Sequence, residues 1–293
     1  MKAENRLVSG LWIGKHLSVI EQLCIRSFLD HAHPFRLWVY DAPDIYIKGD
    51  FSLADAGEII PREEVFCYKN RNQFGHGKGS YAGFSDIFRY RLLHLYGGWW
   101  TDMDVVCLGP MDFTTPYVFR THHDFPLVGN IMKVPPASEL MKVCYERASA
   151  LVNDGNTDWN LPIRILNEEV HKRDLQKYIC EFSNQDSWRY IRNLLYRNPR
   201  IPGHWKALHL VNEEWRRNRI DKNAIPAFSY IGRKMRQHGI SSVPSFSAVL
   251  KNYFRIVFPK STFIQAWWLF VKTFWRFVRL FVREKPYKQG VSG

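Results

Sequence analysis

Two carboxylates stand two residues apart in Asp102-Met103-Asp104, at the end of an apolar run that begins at Trp99. In an extended stretch, residues i and i+2 share a face, so both acids point the same way. Burying them beside a hydrophobic strand is costly unless a cation pairs with them. A divalent ion that takes oxygen ligands meets that need. Such a pair arises by chance about once in a chain of this length, so alone it reads better as two solvated turn residues. Sixteen residues upstream of Asp102, Ser85-Asp86-Ile87-Phe88-Arg89-Tyr90 puts Asp86 and Arg89 one turn apart on a helix face, with Ser85 beside them. By itself this pair fits a surface ion pair as well as a ligand clamp. The two motifs gain meaning together, because Tyr96-Gly97-Gly98 ends the helix and turns the chain back toward the aspartates.

The elements that must position these groups follow from periodicity. Leu7 to Gly14 reads as a first strand, Ser18 to His31 as a helix, and Phe35 to Tyr40 as a second strand ended by Asp41-Ala42-Pro43. This βαβ opening predicts an α/β fold with a mainly parallel central sheet. Residues 69–80 read as a Gly- and Lys-containing loop, and Gly75 to Ser80 lacks the spacing of a P-loop. Tyr81 to Tyr96 reads as a helix, and Trp99 to Leu108 as one strand closed by Gly109-Pro110. His122-His123-Asp124 reads as a loop. A linker marked by Pro226, Gly232, Gly239 and Pro244 leads to the C-terminal segment.

Composition bounds the rest. The chain has 293 residues, 46% hydrophobic and 15% aromatic, enough for one well-filled core. Cys24, Cys67, Cys107, Cys144 and Cys180 are scattered and form no CxxC pair, which disfavours zinc and a disulfide framework and fits reduced thiols. No early segment is long enough to cross a membrane or reads as a signal peptide, so a cytoplasmic enzyme is expected. The net charge of +13 is segregated: residues 188–293 carry 21 Lys and Arg against 4 Asp and Glu. An anionic partner for that part is implied. No nucleic-acid-binding module is recognisable, so nucleic acid is not expected.

The run from Ser85 to Leu108 resembles the sugar-binding region of glycosyltransferase family thirty-two. Leu11-Trp12-Ile13-Gly14, Leu37-Trp38-Val39-Tyr40-Asp41 and Ala54-Asp55-Ala56-Gly57-Glu58-Ile59-Ile60-Pro61 resemble other parts of that family. The likeness covers roughly residues 7–215. It implies a GT-A fold, a Rossmann-like nucleotide-diphospho-sugar transferase, over residues 1–245. It also implies a Mn2+ or Mg2+ ion and a nucleotide-sugar donor, UDP-hexose first and GDP-mannose second. Carried over by position, Trp12 lies against the base, while Ser85, Asp86 and Arg89 hold the ribose, sugar hydroxyls and phosphate side. Asp102 and Asp104 place the metal, with His209 completing that site, and Asn212 and Trp215 shape the same wall. Trp12 fits a core position nearly as well, and His209 taken alone fits a satisfied core histidine. The intact Asp86, Arg89, Asp102 and Asp104 argue against an inactive scaffold. Where the family has a Gly-Pro pair, this chain has Asp158-Trp159-Asn160-Leu161-Pro162.

The implied chemistry is hexosyl transfer with retention, by same-face attack, to a glycan or lipid-linked glycan. The metal and Arg89 would steady the departing diphosphate. Residues 246–293 read as a separate basic, aromatic segment. Within Phe263 to Arg283, Lys272, Arg276, Arg279 and Arg283 fall in a sector of roughly 60° on a helix. Such an amphipathic helix suits an anionic membrane interface better than a span, placing the enzyme peripherally on the inner face of the cell membrane; packing on the domain is the alternative.

Overall fold

Ser18 starts the first helix. Its hydroxyl accepts from the Ile20 N–H, and Glu21 accepts from the Ser18 N–H at 2.7 Å, a capping box. The computed structural model describes residues 6–45, 47–241 and 244–257. In it this helix, α1 (Val19–Asp30), joins β1 (Val8–Trp12) to β2 (Phe35–Val39), and the two strands pair in parallel. The expected βαβ opening is therefore present, and β3 (Phe51–Asp55) extends it in parallel.

Next comes α2 (Ala82–Tyr96), stopped at Gly97, whose φ is 63°. A Cβ there would sit 2.3 Å from the Pro136 nitrogen, so only glycine fits. The chain continues through β4 (Gly98–Thr101), β5 (Val105–Cys107), β6 (Val118–Arg120) and β7 (Val128–Val134), then α3 (Glu139–Leu151), α4 (Leu161–Lys172) and β8 (Ile179–Cys180). The last third holds α5 (Trp188–Tyr196), β9 (Ala207–His209), α6 (Asn212–Arg217), α7 (Tyr230–Gln237) and α8 (Phe246–Val257).

Among the described residues, seven strands form the central sheet in the order β3-β2-β1-β4-β7-β6-β8. It is mainly parallel, with antiparallel pairing of β7 to β4 and to β6. Adjacent strand residues face opposite layers. Trp100 packs with Phe84, Phe88 and Leu166 under α2 and α4, whereas Trp99 packs with Ile25, Phe28 and Phe182 on the α1 side. A third core cluster, with Leu23, Leu194, Leu208, Trp215 and Ile231, fastens the last third onto α1.

The expected single strand from Trp99 to Leu108 is instead two. β4 belongs to the central sheet, while β5 leaves it and pairs antiparallel with β9 in a two-stranded sheet. Asp102-Met103-Asp104 is the turn between them, closed by Val105 N–H donating to Asp102 O at 3.3 Å. The expected linker after Pro226 also differs, since α7 runs through Gly232. A Cβ there would lie 2.1 Å from Pro226 O, so the glycine permits close packing rather than breaking the helix.

All five cysteines are free thiols. Among the described residues, no helix is long and apolar enough to cross a membrane. The expected amphipathic helix within 263–283 lies outside the described residues.

Candidate functional site

Helix α2 presents Ser85, Asp86 and Arg89 toward the C-terminal end of β4. Arg89 is 5% exposed. Its Nη2 lies 3.2 Å from Asp86 Oδ1 and 3.0 Å from Asp102 Oδ1, and the guanidinium stacks over the Trp100 ring at 5.3 Å. Trp100 Nε1 donates to the same Asp102 oxygen at 2.9 Å. Gly129 on β7 makes room for this: a Cβ there would come within 3.1 Å of Arg89 Nη1. Burial pushes the Asp86 carboxyl up to about 6 although Arg89 opposes it. Burial likewise raises Asp102, against the pull of Arg89.

Asp104 sits on the other side of the turn, 6% exposed. Its Oδ2 accepts from the Asn212 backbone N–H at 2.5 Å and lies 3.3 Å from His209 Nε2. Burial would raise this carboxyl, but the His209 charge and these hydrogen bonds outweigh it and hold Asp104 below its ordinary range. Asn212 can offer its N–H because Val211 before it is left-handed, φ 56° and ψ 61°. A β-branched residue there stores strain of about 1–3 kcal/mol.

Behind His209 stands a residue that sequence reasoning missed. Asp186 Oδ1 meets His209 Nδ1 at 2.8 Å, and Asp186 Oδ2 meets Arg120 Nη2 at 2.5 Å and His122 Nε2 at 3.5 Å. Asn184 grips the histidine backbone, accepting from His209 N–H at 2.8 Å and donating to His209 O at 3.0 Å. Burial would lower the His209 pKa, yet Asp186 and Asp104 on its two sides raise it to about 10. At neutral pH the ring is an imidazolium between two carboxylates. Burial, against the pull of Asp186, lowers His122 to about 4, so that ring is neutral.

These groups line a cavity of about 590 Å3. Asp86, Ser85, Arg89, Asp102, Asp104, His209 and Asn212 all face it, as does half-buried Trp12 beneath Lys222. Trp215 does not. It is 1% exposed and gives its indole N–H to Leu210 O at 2.7 Å, which makes it a support for the His209–Asn212 segment. The 69–80 loop roofs the opening: Gly77 N–H donates to Glu213, Arg216 donates to Lys78 O, and Trp159 packs edge-on against His76.

Residues 69–124 match the family model described as capsular polysaccharide synthesis protein. That stretch runs from the roof loop through Asp86, Arg89, Asp102 and Asp104 to the loop at His122. No curated protein matches the chain. Among solved structures, the chain is similar to "PaToxG Glycosyltransferase" at 10% identity, over 57% of this chain and 68% of that chain, with a TM-score of 0.39.

The donor set at the turn suits a hard divalent ion, with carboxylate oxygens beside an imidazole. No hydrogen bond from a described residue reaches Asp102 Oδ2 or Asp104 Oδ1, so both keep an oxygen for a cation. His209 instead spends its Nε2 on Asp104. Among the described residues, the three donor atoms found within 4.8 Å of one another belong to His122, His123 and Asp124. There His122 is already engaged at both nitrogens, accepting from Asp124 N–H at 3.0 Å and facing Asp186.

Proposed function

We propose that the chain is a metal-dependent glycosyltransferase that moves a hexose from a nucleotide-diphosphate sugar to a glycan or lipid-linked glycan. The observation that carries this reading is the turn Asp102–Asp104, set in a cavity with buried Arg89 fixed on one side and His209 on the other. The family match over 69–124 supports a polysaccharide acceptor.

Asp102 and Asp104 would hold Mn2+ or Mg2+, joined by His209 once its Nε2 gives up its proton. The bound ion would act as a Lewis acid on the leaving diphosphate. Arg89, locked by Asp86, Asp102 and Trp100, offers fixed positive charge that needs no reorganisation as the leaving group becomes anionic. Trp12 supplies a flat wall for the base, and Ser85 and Asp86 accept from ribose or sugar hydroxyls. UDP-hexose is the favoured donor and GDP-mannose the second. Same-face attack with retention is the stereochemical course we propose.

The test is binding and hydrolysis of a panel of UDP- and GDP-sugars, with and without Mn2+. Metal-dependent release of one nucleotide, lost in Asp104→Ala, is expected. Failure of the whole panel to bind with metal present would overturn the reading.

A further inference from the structure

Helix α8 carries two faces that the fold treats differently. On one, Asn252 is 1% exposed and Ile256 2%. The Asn252 amide donates to Asp221 O at 2.7 Å and Ala224 O at 2.9 Å and accepts from Asp221 N–H at 3.0 Å. These three bonds use most of what an amide can make and fix the rotation of the helix about its axis. On the other face Phe246, Leu250 and Tyr253 recur at i, i+4 and i+7, the spacing of one helical stripe. They are 80%, 40% and 39% exposed. Exposed apolar groups scattered singly need no explanation, but a continuous stripe on a rotationally locked helix marks an interaction surface.

The surroundings state the charge of its occupant. Lys251 and Arg255, four residues apart, lie on the side of the helix away from the stripe, so apolar and basic faces are segregated. Tyr253 meets Tyr196 edge-on at 6.2 Å, and Arg197 stacks on Tyr196 at 5.5 Å, which brings one cation beside the stripe. Residues 188–257 hold 14 Lys and Arg against three acids. Two of those acids, Glu213 and Glu214, are paired with Arg216 and Arg217. The sequence beyond Val257 adds seven Lys and Arg and one Glu. An exposed apolar stripe with Arg197 at its side, on a strongly basic part of the chain, matches a bilayer surface rich in anionic headgroups.

We propose that the Phe246–Leu250–Tyr253 stripe docks α8 flat onto an anionic lipid bilayer. Phe246 and Leu250 enter the boundary between headgroups and acyl chains, and Arg197, beside Tyr253 through Tyr196, meets lipid phosphates. This inference rests on α8 and its charge, and it stands or falls independently of the transferase reading.

The experiment is cosedimentation of the full chain with vesicles of equal parts phosphatidylglycerol and phosphatidylethanolamine, beside vesicles of phosphatidylcholine alone. The chain is expected to bind the anionic vesicles. The Phe246→Glu/Leu250→Glu double variant is expected to bind at least about tenfold more weakly. Hydrogen exchange on the unaltered chain supplies an arm that needs no variant: amides of 246–254 slow when anionic vesicles are added. No binding to the anionic vesicles, equal binding to phosphatidylcholine, undiminished binding of the double variant, or unchanged exchange each overturns the proposal. So does a dimer of the unaltered chain that the double variant breaks, because a second copy would then cover the stripe.

Discussion

Asp186 Oδ1 lies 2.8 Å from His209 Nδ1, and that contact decides which nitrogen His209 turns toward Asp104. A carboxylate behind a ring nitrogen fixes tautomer and ring orientation and raises the basicity of the other nitrogen. Asp186 is therefore a positioning residue that acts through His209. Asp186→Asn is expected to weaken Mn2+ binding about 10–100-fold, read by calorimetric titration. It also strips buried Arg120 of its charge partner, so its thermal midpoint falls, by the equivalent of about 3–5 kcal/mol.

Arg89 meets two carboxylates and a ring face at once, a task for a planar fork. Arg89→Lys keeps the charge and loses that geometry. Donor turnover, kcat/KM, is expected to drop about 10–100-fold, or roughly 1.4–2.8 kcal/mol. Steady-state kinetics with the donor found in the panel checks it. Unchanged turnover would remove Arg89 from the site.

Gly129 is empty space that Arg89 fills. In Gly129→Ala the new methyl would stand 3.1 Å from Arg89 Nη1 and 3.4 Å from Leu166 Cδ2. Overpacking of this kind costs about 1–3 kcal/mol. A lower melting midpoint together with reduced turnover is expected, since the side chain pushed aside is the one that fixes Asp102.

Acid stability should depend on Glu169, which is 3% exposed and ion-paired with Arg147, Lys172 and Arg173. Burial would raise this carboxyl, yet the three cations lower it from 4.5 to about 2. A pKa depressed on folding gives stability that is complete above the unfolded value and is lost as pH falls through the folded one. The window here runs from about pH 5 down to pH 2. Allowing for the exposure of Lys172, the contribution is about 1–3 kcal/mol. Denaturant melts of Glu169→Gln are expected to show lower stability at neutral pH and a flatter decline across that window.

Legibility in the sequence followed distance along the chain. The βαβ opening and the helix-ending Gly97 were readable because periodicity and local backbone chemistry encode them. Asp86, Arg89 and Asp102 were readable together because one helix, one turn and one short strand join them. The change of sheet between Thr101 and Val105 was not, since Trp99-Trp100 and Val105-Val106-Cys107 are apolar whichever partner each takes. Gly232 misled for a related reason: close approach to Pro226 O demands glycine as firmly as a turn does. Asp186 and Asn184 carried no signal, because their partners Arg120 and His209 are 66 and 25 residues away and nothing in Ser183-Asn184-Gln185-Asp186 names them.

The departure of β5 from the central sheet sets a timetable. A chain emerging from the ribosome has all seven strands of the main sheet once Cys180 is out, but β5 waits for β9, and Asp104 waits for His209 and the Asn212 N–H. Scaffold and chemistry thus mature separately, the second after the first. A nascent chain halted between these points would hold the α2 and β4 walls of the cavity and nothing to fasten its acidic turn, so the turn is completed only when residues 209–212 emerge.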